Sequence, residues 1–100
     1  MANRIVDRIV QTVFGKAPAI HTKKLSRSAR EQKIHDTNEA INHLLIGLCA
    51  QPMVLVYTVA SGPQHFRTQF LREFGQKGYY VNDYVADACF RFLAERVVAR

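Results

Sequence analysis

The sequence predicts a mainly α fold, a small bundle of four to five helices, with the apolar run 53 to 60 as the one alternative place for a short strand. Three observations carry this. Apolar residues recur at helical spacing in separate stretches along the chain. Ser, Asn, Gly and Pro fall between those stretches, where helices begin and end. The only other β-like run, Gly78-Tyr79-Tyr80-Val81, is too short to give 53 to 60 a sheet. With 100 residues, 48% hydrophobic and 22% charged, the chain reads as one ordinary domain. Residues 1 to 33 form a basic amino-terminal helix and arm, and 34 to 100 a helical apolar body. A core of this size buries roughly two-thirds of the unfolded surface and leaves little room for a large catalytic cleft.

From Asn3 to Phe14, Ile5, Val6, Ile9, Val10, Val13 and Phe14 have helical spacing, and Gly15 is a natural stop. Residues 16 to 25, with Pro18 among Lys, His and Thr, suit a loop or an extended basic arm. Ser28 with Glu31 fits a capping box for a long helix through about Ala50, with Ile34, Thr37, Ile41, Leu44, Leu45 and Leu48 on one face. Pro52 ends or kinks it. The run 53 to 60 is apolar on both parities and β-branched, so we read it as helix or irregular core and keep the strand as the alternative. Ser61 with Gln64 fits a second capping box, and Pro63 sits in the first turn of a helix whose stripe is Phe66, Phe70, Leu71 and Phe74. Gly75 and Gly78 break that helix. Asn82 caps a last helix carrying Val85, Ala88, Cys89, Phe92, Leu93 and Val97, with Asp83 and Asp87 early and Arg96 and Arg100 late, as the helix dipole favours.

The net charge of +6 is unevenly placed. Residues 1 to 33 hold eight Lys or Arg against Asp7 and Glu31, whereas the rest of the chain is balanced, six against six. Such polarity suits an acidic partner, either nucleic acid or an acidic protein surface. Lys16, Lys23, Lys24, Arg27, Arg30 and Lys33 form the candidate binding arm, and Arg27, Arg30 and Lys33 are spaced three apart on one side of the long helix. The arm lacks interleaved aromatics, so it can track phosphates but is poorly equipped to stack on bases. Arg67 and Arg72 are too few cations for a recognition helix over 64 to 74.

Catalytic patterns are not found. No nucleophile stands beside a base by sequence, no phosphate-binding Gly-rich loop occurs, and we expect a non-enzyme without a cofactor. His35, Glu39 and His43 lie four apart on one helix face, which reads as a solvated polar face and not as a metal site. Cys49 and Cys89, 40 residues apart in apolar stretches, read as reduced core thiols. Asn42, His43, Gln51 and Pro52 interrupt the apolar stretch 42 to 60, so no membrane span is expected. Arg4, Asp7 and Arg8 interrupt the first apolar stretch, so no signal peptide is expected and the location should be cytoplasmic.

Small size, a basic amino-terminal third, a helical apolar remainder and the Gly62-Pro63 turn together resemble the anti-RecBCD accessory proteins of lambdoid phages, the Abc type. The resemblance implies a protein of the bacterial host cytoplasm that binds the RecBCD helicase-nuclease, mainly its RecC subunit, and modulates it in favour of phage recombination. No residue of that family is carried over individually. From the residues themselves, aromatic and Arg side chains of the kind that anchor interfaces are Phe66, Arg67, Phe70, Tyr79, Tyr80 and Tyr84. Gly62-Pro63 is similar to the segments that cyclophilin-type prolyl isomerases bind, although a helix start explains the same residues. The alternative function is a small basic DNA-binding or regulatory protein contacting phosphates through residues 16 to 33.

Overall fold

The structure, a computed structural model, describes residues 26 to 98. The predicted first helix, the arm from Lys16 to Leu25 and Arg100 lie outside the described residues. Four helices follow one another: α1 Arg27–Cys49, α2 Pro52–Ala60, α3 Pro63–Gln76 and α4 Asp83–Val98. Among the described residues there is no strand. The all-α prediction therefore holds, and the run 53 to 60 is helical.

The cap of α1 lies two residues before the predicted one. Ser26, in extended backbone, accepts the Ala29 N–H at 3.2 Å, while Ser28 lies inside the first turn and Glu31 faces Arg27 at 3.6 Å. The capping box expected of Ser28 and Glu31 is thus not formed, because the earlier serine already satisfies a free amide. The buried face is Lys33, Thr37, Ala40, Leu44 and Leu48. Ile34 is 45% exposed, and Ile41 and Leu45 are only partly buried, so the core face is rotated from the purely apolar stripe. Two polar residues make this affordable. Lys33 lies with its ammonium 4.4 Å from the centre of the Tyr80 ring, and the Thr37 hydroxyl donates to the Lys33 carbonyl at 2.8 Å.

Pro52 opens α2 at its first position, where the missing N–H costs nothing, and the chain bends by 107° between α1 and α2. Inside α2, Val54, Leu55 and Thr58 are buried, and the Thr58 hydroxyl closes onto the Val54 carbonyl at 2.8 Å. No single described helix is long and apolar enough to cross a membrane. Ser61 does not cap the next helix. It ends α2, its hydroxyl donating to the Tyr57 carbonyl at 2.9 Å, and Gly62 is the cap of α3 at φ 94°, a conformation that strains any residue with a Cβ.

Along α3, Phe66, Phe70 and Phe74 stack in one column, with ring centres 5.7 and 4.3 Å apart, and Phe90 of α4 meets its first member at 5.8 Å. Gly75 does not break this helix but lies within it. Gly78 does, at φ 78°: its N–H bonds the Gly75 carbonyl, and the Tyr79 N–H bonds the Phe74 carbonyl at 3.1 Å. This is the reciprocal pattern of a left-handed helix end, completed by an apolar contact of Tyr79 on Phe74, ring centres 5.4 Å apart. Asn82 caps α4 as expected, accepting the Val85 N–H at 2.9 Å, and Ala86, Cys89 and Leu93 fill the core. α4 packs most extensively on α3 and also meets α2 and α1.

One bond ties the α3–α4 connection to α1. The Tyr80 N–H donates to the Thr37 hydroxyl oxygen at 3.1 Å, across 43 residues of sequence. Replacing Thr37 by Val keeps the shape and deletes this acceptor, and should cost about 1–3 kcal/mol in urea unfolding, with Thr37→Ser largely restoring it. A second outcome concerns pH. Burial pushes the Cys89 thiol up to about 11 from its ordinary 9.0. Folding therefore favours the neutral thiol, whose contribution is complete below about pH 9 and is lost as pH rises towards 11, by at most about 3 kcal/mol. The Tyr79 phenol, raised by burial and then by the Asp36 charge, adds a loss in the same direction at higher pH. Unfolding curves between pH 8 and 10 should flatten in Cys89→Ala relative to the parent chain.

Candidate protein-interaction surface

The six aromatic and Arg candidates divide by burial. Phe66, Phe70 and Tyr79 belong to the core, at 6, 2 and 5% exposure, because the α3 column and its closing turn take their rings inward. They are withdrawn as surface anchors. Arg67 is half-buried and forked onto Asp87 of α4, with both bonds 3.0 Å long. Those bonds, and then the carboxylate's charge, hold the guanidinium's pKa above its ordinary value. Arg67 thus braces two helices of its own chain and has little left to offer a partner.

Tyr80 and Tyr84 remain at the surface, 42 and 75% exposed. Both are carried on fixed backbone: Tyr80 by the amide bond to Thr37 and by its ring over Lys33, Tyr84 by the Asn82-capped first turn of α4. Large amphipathic rings on preordered backbone lose little freedom when covered, which is why Tyr is frequent at interface centres.

The basic arm is thinned by the same geometry. Lys33, 2% exposed, is spent on Tyr80, and Arg27 faces Glu31, so among the described residues Arg30 is the member of the arm that pairs with no acidic residue. Lys16, Lys23 and Lys24 lie outside the described residues. Lys33 leaves the predicted stripe because its long stem covers apolar surface while its charge meets an aromatic face. His35 pairs with Asp36 and Glu39 on the exposed side of α1, and no group of three or more His, Cys, Asp or Glu among the described residues could hold a metal ion. Gly62 and Pro63 are the cap and first residue of α3, Pro63 exposed, and no described peptide bond is cis.

A surface not singled out from the sequence lies on α2. Met53, Val56 and Tyr57 are 70, 47 and 38% exposed, and with Pro52 and Ala60 they line an open apolar concavity of about 440 Å³. The signal was in the sequence: PMVLVYTVA has no charged residue, so whichever face turns inward, the other stays apolar.

Amine labelling checks the placement of Lys33. An activated ester should modify Lys77, which is partly exposed, well before Lys33 in the folded chain, and the difference should vanish in urea. The chain matches no family model, no curated protein and no solved structure.

Proposed function

We propose that this chain is a non-catalytic interaction protein that binds and modulates a host DNA-processing enzyme. The partner is the RecBCD helicase-nuclease, mainly its RecC subunit, as the resemblance to the Abc-type proteins implies, and the setting is the bacterial cytoplasm. The observation that carries the reading is the exposed pair Tyr80 and Tyr84 on fixed backbone at the α3–α4 connection. Exposed Pro63 offers the Gly62-Pro63 segment to a cyclophilin-type prolyl isomerase, the second partner in this proposal. The DNA-binding alternative is weakened among the described residues, since Lys33 is buried and Arg27 faces an acidic neighbour.

Binding of the full-length chain to purified RecBCD at about 0.3 M salt tests it, because bulk phosphate contacts weaken there while a packed interface persists. Tyr84→Ala should weaken binding by roughly 30-fold, the scale of an interface hot spot, and Arg27→Ala with Arg30→Ala by only a few-fold. Unchanged affinity in Tyr80→Ala and Tyr84→Ala would remove the interface assignment. Absence of RecBCD binding, with retention of duplex DNA that falls steeply with salt, would replace the proposal by the nucleic-acid reading.

A further inference from the structure

A cavity between α1 and α4 takes no part in the surfaces described so far. On α1, Asn42, Leu45, Ile46 and Cys49 fall at i, i+3, i+4 and i+7, so they share one face beside the buried one. Phe92 and Arg96, four apart on α4, meet them, and the six residues line a space of about 280 Å³. It stays open because the Cys49 side chain is short and the Arg96 guanidinium is held over the Phe92 ring, 4.2 Å from its centre. We propose that this cavity binds a small monocarboxylate with an aromatic or branched apolar body. The site is distinct from the proposed partner surface and does not depend on it, since Arg96 lies 12 residues from Tyr84, about 18 Å along α4.

Three properties select this class of ligand. The first is size. The volume is about twice the ~150 Å³ of a cavity that holds benzene and just below the ~300 Å³ at which sites for drug-sized ligands begin, so a ring or branched chain with a short arm fits. The second is the lining. Leu45, Ile46 and Phe92 give apolar walls, and with Ile46 69% exposed and Phe92 half-buried, a ligand would take apolar surface out of water.

The third property is charge. Arg96 carries the charge of the lining, no acidic residue shares it, and among the described residues Arg96 forms no ion pair. A guanidinium attracted to a ring through its face keeps its in-plane N–H donors for an acceptor, and that fork matches a carboxylate. Exposed Asn42 adds an amide donor to the same lining. One guanidinium balances the single charge of a carboxylate, whereas a phosphate dianion would keep an uncompensated charge against apolar walls.

Titration of 3-phenylpropionate into the isotope-labelled full-length chain at neutral pH tests the site. Amide shifts should be confined to the segments around the lining residues and saturate with a dissociation constant on the order of 1 mM, the range for a ligand of this size. The neutral isostere 3-phenylpropionamide should bind roughly 10-fold more weakly, and Arg96→Gln should abolish that preference, because each change deletes the same charge-assisted contact. Ile46→Asp, at an exposed position outside the core, should weaken the acid by roughly 5-fold through like charge. Alkylation of half-buried Cys49 by iodoacetamide should slow in step with occupancy, while Cys89 stays buried. Absence of saturable shifts up to about 10 mM acid would overturn the proposal. So would equal binding of acid and amide, or a preference that survives Arg96→Gln. Shifts at the lining residues that follow protein concentration without any probe would place a second copy in the cavity and overturn it as well.

Discussion

The left-handed turn at Gly78 is the constraint on which the upper half of the molecule depends. At φ 78° it reverses the chain at the end of α3, so that Tyr79 folds back onto Phe74 and closes the aromatic column. One residue later the Tyr80 amide reaches Thr37, and its ring covers Lys33. A Cβ at such a φ costs roughly 1–2 kcal/mol, and here the strain would fall on a joint shared by three helices. The proposed binding surface is the outer side of this joint.

Core and surface are therefore made by the same few residues. Tyr79 points in and Tyr80 out because they are neighbours after a tight reversal, and Thr37 serves both, bonded to its own helix and to the arriving amide. Lys33 shows how polarity is absorbed: its stem replaces an aliphatic residue in the core face and its charge meets a ring instead of solvent. Arg67 and Asp87 brace α3 against α4. Among the described residues, the outer face of α2 and the rings of Tyr80 and Tyr84 are among the apolar surfaces left uncovered.

Much of this was legible in the residues. The helical class, the Phe66, Phe70 and Phe74 stripe and the Asn82 cap follow from spacing and capping chemistry, and each is present. The misses have physical reasons. Ser26 and Ser28 are chemically equivalent caps, and only the extended backbone at Ser26 decides between them. Gly75 and Gly78 look alike as helix breakers, but one position has helical backbone and the other a positive φ. The buried face of α1 includes Lys33 because of Tyr80, a partner 47 positions away that periodicity does not reveal. For the candidate site, residue type named the candidates, but burial, a tertiary property, takes Phe66, Phe70 and Tyr79 into the core.

The most direct test of the account is the ring-current shift of the Lys33 ε-methylene protons, measured in the parent chain and in Gly78→Ala. With the Lys33 ammonium 4.4 Å from the Tyr80 ring centre, those protons should resonate upfield of an exposed lysine's and move back when the turn is strained. An unshifted Lys33 in the parent chain, or a shift that Gly78→Ala leaves untouched, would mean that the Gly78 turn does not hold the joint.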